Sequence, residues 1–78
     1  MSILDTRYGG MLVHHETRDT GGMFDARLGV EQLPAPTESG NKFRAFVVDW
    51  HGGVQCFRPT FEEAMGELER LFELKFDK

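Results

Sequence analysis

The sequence predicts an α+β fold, an antiparallel sheet of about four strands (β-β-β-β-α) with one amphipathic C-terminal helix packed on one face. Three observations carry this. Glycine doublets at Gly9-Gly10, Gly21-Gly22 and Gly52-Gly53 cut the chain into strand-length pieces, because glycine takes positive φ at little cost and so punctuates turns. Residues 23–30 alternate apolar and polar side chains with the period of two that marks a half-buried strand. Residues 61–72 repeat apolar side chains at spacings of three and four, the signature of a helix with one buried stripe.

The elements follow in order. Met11 to Thr17 is a short apolar-to-polar run suited to a strand. In the next strand Phe24, Ala26, Leu28 and Val30 are expected to face inward, with Asp25 and Arg27 toward water. Residues 33–41 read as a surface loop: Pro34 and Pro36 cannot donate to a ladder, and Ser39, Gly40 and Asn41 favour turns. Phe43 to Trp50 is rich in aromatic and β-branched residues, Gly52-Gly53 marks a hairpin turn, and Val54 to Arg58 is the return strand. Pairing with odd position sums puts Phe46, Val48, Trp50, Gln55 and Phe57 on one face of this hairpin. Val47, Asp49, Val54, Cys56 and Arg58 fall on the other, and a slip by two residues preserves both sets.

Thr60 is a good N-cap, and Glu63 three residues later completes a capping box. Phe61, Ala64, Met65, Leu68, Leu71 and Phe72 form the buried stripe; Glu62, Glu63, Glu67, Glu69, Arg70 and Glu73 occupy the opposite arc. Gly66 lies in that arc and costs up to about 1 kcal/mol relative to Ala, which implies either spare stability or a close approach there. One helix cannot cover both faces of the sheet. The second face is therefore expected to expose apolar surface, unless Ile3, Leu4 and Tyr8 cover it, and such surface marks an interface.

A length of 78 residues allows one small domain, residues 1–78, with no room for separate cofactor and substrate domains. The single Cys56 excludes an internal disulfide framework, so a reducing cytoplasm is the expected location. Residues 1–7 carry no secretory pattern, and no apolar run approaches the roughly 18 residues of a membrane span. The net charge is −4, which argues against autonomous binding to a nucleic-acid backbone. That charge is concentrated: residues 60–78 hold six acids and three bases, a net −3, whereas residues 1–59 hold seven acids and six bases.

Chemistry-bearing groups are few. His14 and His15 are adjacent and point to opposite faces of a strand; His51 and Cys56 share a hairpin face. A closed zinc site needs four ligands, and no CxxC or HxxxH spacing occurs. Cys56 is expected mid-strand beside Asp49, whose charge raises a thiol pKa and makes the sulfur a poor nucleophile. No phosphate-binding, dinucleotide, zinc-protease or EF-hand signature is present. The expectation is a protein that is not an enzyme and has no cofactor.

Residues 43–74 resemble, in order and cap, the strand–turn–strand–helix pattern of HicB-like antitoxins: Val47 to Gly53, Val54 to Arg58, then Thr60-Phe-Glu-Glu-Ala64. The Pro-Asp-Leu-Pro-Gly segment of that pattern is absent, and the capping box alone accounts for the Thr-x-Glu-Glu-Ala run, so the resemblance does not assign a family. In format the chain also resembles the small acidic inhibitors of phages and mobile elements. The function expected is a protein-protein interaction domain, inhibitor or antitoxin-like. It would dock on a basic protein surface through Glu62, Glu63, Glu67, Glu69, Arg70 and Glu73 on the helix, and through Trp50 and Phe57 on the sheet. A homodimer through the second face or a sheet edge is a related expectation. Two alternatives stand beside it: a single-strand nucleic-acid platform of Arg44, Phe46, Trp50 and Phe57, and a metal-dependent module using His14, His15, His51 and Cys56.

Overall fold

The computed structural model describes residues 6–76. Strands β1 (Met11–Arg18), β2 (Ala26–Gln32), β3 (Phe43–Asp49) and β4 (Gly52–Arg58) precede helix α1 (Phe61–Phe76). The strands form one antiparallel meander in the order β1-β2-β3-β4, so the architecture is the expected α+β fold.

Side-chain alternation decides which face meets the helix. Ala26, Leu28 and Val30 of β2 and Ala45 and Val47 of β3 pack fully buried against Ala64, Leu68 and Leu71 of α1. Phe43, Val54, Cys56, Phe61, Met65 and Phe72 close the margins of this core. The helix lies over β2, β3 and β4, while Arg18 of β1 reaches it by pairing with Glu69 and by lying 4.9 Å over the Phe72 ring. At the helix start the Glu63 N–H donates to Thr60 Oγ1 at 3.2 Å, and the Thr60 hydroxyl donates to Glu63 Oε1. Lys75 in the last turn suits the helix dipole and pairs with Asp49 at 3.2 Å.

Two boundaries differ from the sequence reading. The β3–β4 turn is centred on Trp50 and His51, and Gly52-Gly53 belongs to β4. Asp49 Oδ1 accepts the His51 N–H at 2.9 Å, and the left-handed step falls on Gly52 at φ 123. Trp50 therefore leaves the sheet face it was expected to share with Phe46 and Phe57. The second strand begins at Ala26, so Phe24 stays outside it. Residues 19–24 close on themselves instead: Asp19 accepts the Gly21 N–H, Thr20 Oγ1 accepts the Gly22 N–H, and the Thr20 hydroxyl donates to the Phe24 carbonyl.

The second face of the sheet also departs from expectation, because its centre is closed and polar. Glu31 and Arg44 sit directly opposite on β2 and β3 and are 0% and 4% exposed. Arg44 Nε donates to Glu31 Oε1 at 2.8 Å, and Glu31 Oε2 accepts the backbone N–H groups of Tyr8 and Gly10. The Tyr8 ring lies over Arg44, so the N-terminal segment does cover this face, through Tyr8; Ile3 and Leu4 lie outside the described residues. Phe46 on the same face is buried because Gly29 has no side chain: a Cβ there would stand 2.4 Å from Phe46 Cζ. Between β1 and β2 the register shifts from Leu12↔Glu31 to His14↔Val30, leaving Val13 as a bulge.

Two substitutions test this packing. Gly29→Ala is expected to lower unfolding stability by about 1–3 kcal/mol, since Phe46 must leave its place; an unchanged urea midpoint would show that the ring is not held there. Gly66 is exposed, and no atom lies within 4 Å of a Cβ built on it. Gly66→Ala is expected to raise stability by about 0.5–1 kcal/mol in the same assay, and a lowered midpoint would contradict the open surface described.

Candidate functional site

The two hydrogen-bonded ends described above, the 19–24 loop and the Trp50-His51 turn, meet at one end of the sheet. Phe24 and Trp50 stack there at a centroid distance of 5.5 Å and an interplanar angle of 19°. They remain 51% and 72% exposed, and Met23 beside them is 89% exposed. Open clefts flank the stack. One, of about 380 Å³, is lined by Met23, Phe24, Asp25, Arg27 and Trp50. The other, of about 420 Å³, adds Thr20, Asp49 and His51 on the far side. Large exposed side chains held in a fixed mutual geometry are the kind of surface that anchors a partner.

The polar rim is held in place. Arg27 donates to Thr17 Oγ1 at 2.9 Å. Asp49 is partly buried, which raises its pKa, but the His51 N–H and the Lys75 ammonium outweigh this and hold its carboxyl below the usual range. Asp25 is exposed at the rim.

The acidic arc of α1 divides into committed and solvent-facing carboxylates. Glu67 is clamped between Arg58 and Arg70, with only 17% of its side chain exposed. Glu69 pairs with Arg18 on β1 at 2.7 Å, and Glu63 serves the cap. Glu62 and Glu73 are exposed and form no ion pair among the described residues. Of the sequence-predicted partner residues, Trp50 stands at the sheet end, whereas Phe57 is half-buried on the second face, edge-on to Tyr8 at 5.6 Å and 73°.

The other candidate groups lie apart. His14 and His15 fall on opposite faces, as the strand period requires; His14 Nε2 lies 2.8 Å from Glu16, and His51 occupies the turn. Cys56 stands opposite Ala45 at the margin of the helix-side core rather than beside Asp49. Its thiol pKa is pushed up first by burial, with Glu67 adding and Arg58 opposing. Among the described residues no three His, Cys, Asp or Glu side chains come together to hold a metal. The Arg44 guanidinium of the stacking platform lies between the Tyr8 and Phe46 rings and Phe46 is buried beneath it, so neither side chain offers a free face on which a base can stack. No helix among the described residues is long and apolar enough to cross a membrane.

Sequence reasoning missed Met23 and Phe24. The signal that locates them is the Asp19-Thr20-Gly21-Gly22 run, whose short polar side chains bond their own backbone and extend the loop past the glycine doublet.

The ion-pair network predicts an acid transition. Glu67 is held below its ordinary 4.5 chiefly by the bond from Arg70, then that from Arg58, against desolvation. Glu16 is lowered by His14 first and Arg18 next. A carboxylate whose folded pKa lies below the unfolded value stabilises the fold fully above that value and loses this contribution as pH falls through the folded pKa. The urea midpoint is therefore expected to fall below about pH 4.5. In Glu67→Gln it should be lower at neutral pH and fall less over that window; an identical pH dependence would remove Glu67 from the network.

No protein-family model, curated protein or solved structure matches the chain, so the functional reading rests on the residues themselves.

Proposed function

We propose that the protein is a non-enzymatic protein-interaction domain that docks through the Met23–Phe24–Trp50 end of its sheet onto a basic protein surface. The observation that supports this reading most directly is the Phe24–Trp50 stack, held by two self-closed loops yet more than half exposed on both rings. An exposed aromatic pair has two costs in a free monomer: contact with water and lost side-chain freedom. Burial against a partner removes the first, and because the second is already met in the free protein little further ordering is needed on binding, which suits the pair to anchor an interface.

Charge supports the class of partner. Asp25 stands at the aromatic end, Asp19 lies in the same loop, and Glu62 and Glu73 face solvent on the helix, within a chain of net charge −4. Such a field draws in a basic surface and sets the rate of encounter, while the aromatic pair sets the lifetime of the complex. Occupation of a functional basic groove on the partner would make the protein an inhibitor of it, the antitoxin-like role.

The test is co-purification from the native host followed by binding measurements on the isolated pair. Phe24→Ser/Trp50→Ser changes only exposed side chains, so its urea midpoint should match the parent within about 0.5 kcal/mol, and its affinity should fall by at least about a hundredfold. Glu62→Lys/Glu73→Lys should slow association and flatten its salt dependence with little change in dissociation. Retention of the same partner at the same affinity by the serine double variant would overturn the proposal.

A further inference from the structure

A second concavity shares no residue with the Trp50 clefts. It is a cavity of about 220 Å³ on the sheet face opposite the helix, lined by Arg7, Arg44, Phe46, Val48, Gly53 and Gln55 among others. Among the described residues its lining carries two guanidinium groups and no carboxylate. Arg44 is held on three sides. Its Nε donates to Glu31 at 2.8 Å, its Nη1 donates to Gln55 Oε1 at 3.1 Å, and its plane lies 4.4 Å over the Phe46 ring. Its Nη2 group has no acceptor among the described residues, and Arg44 is one of the residues that line the cavity.

We propose that this cavity is a binding site for a short aliphatic monocarboxylate. A guanidinium stays protonated at any physiological pH and presents its donors as a rigid fork matched to a carboxylate. Here the ordering of that fork is complete before a ligand arrives, because Glu31, Gln55 and Phe46 fix it. Glu31 already balances one of the two guanidinium groups, so the described residues of the site carry one net positive charge. A monoanion neutralises it, whereas a dianionic phosphate leaves excess negative charge close to the buried Glu31 carboxylate. Val48 supplies an apolar wall for an alkyl chain, and Gly53 contributes no side chain that would fill the space.

The probe is butyrate, titrated into isotopically labelled protein at fixed ionic strength, with inorganic phosphate and chloride as parallel arms. Butyrate is expected to give saturable shifts at the Gly53 N–H, the Gln55 side-chain amide and the Arg44 Nε–H, and to bind more tightly than phosphate. Arg7→Gln removes an exposed cation and leaves the Glu31–Arg44 pair in place; it should weaken butyrate about tenfold. Arg44→Lys keeps the charge and loses the fork, and is expected to abolish saturation while the protein stays folded; should that variant unfold, Arg7→Gln decides alone. Shifts that fail to saturate, equal shifts with chloride, tighter binding of phosphate, or unchanged affinity in Arg7→Gln would each overturn the assignment.

Discussion

One carboxylate organises the half of the molecule that has no helix. Glu31 takes a bond from Arg44 on β3 and two from the backbone of the N-terminal segment, and Arg44 passes the connection to Gln55 on β4. The network thus spans β2, β3, β4 and the chain before β1. A buried ion pair is a weak source of net stability, because desolvation offsets most of the attraction. Its value here is positional. A carboxylate with no exposure tolerates only an arrangement in which its oxygens are satisfied, so it fixes where the segment around Tyr8 lies and sets the β2–β3 register. The packing of Phe46 over Gly29 and the orientation of the Arg44 fork both depend on that register.

The sequence made the helix and the strands readable because each rests on a local pattern: a cap at Thr60, a stripe from Phe61 to Phe72, alternation in β2, and the aromatic and β-branched run of β3. That Val47, Val54 and Cys56 share one face also follows from parity alone, whereas which face the helix covers does not. The polar closure of the other face was not readable. Glu31 stands near the end of a strand, where an acid ordinarily faces water, and Arg44 reads as the outward residue between Phe43 and Ala45. Only the cross-strand register, which places the two opposite each other, turns two apparently solvated charges into one buried pair.

The candidate site was half legible. Trp50 could be singled out from the sequence, but a glycine doublet looks like the centre of a turn, and here Gly52 takes the left-handed step only after the turn is complete. Phe24 was lost because period-two alternation continues into residues that side-chain-to-backbone bonds remove from the strand. The acidic arc was overestimated for a related reason. Composition counts charges without their partners, and Glu67 and Glu69 are spent within the fold, tying α1 to β4 and to β1. What remains to act at a distance is a smaller, more dispersed negative field joined to a compact aromatic end.

The bulge at Val13 has a consequence for how copies of this chain avoid one another. In a four-strand meander β1 and β4 each leave one row of donors and acceptors open, a template on which sheets grow into fibrils. In β1 that row is broken after Leu12, where the extra residue bends the strand and displaces the repeat. A second strand laid along β1 finds the regular repeat divided between Met11–Leu12 and the run from His14 to Arg18. The irregularity thus shortens the regular template that this edge offers to another strand.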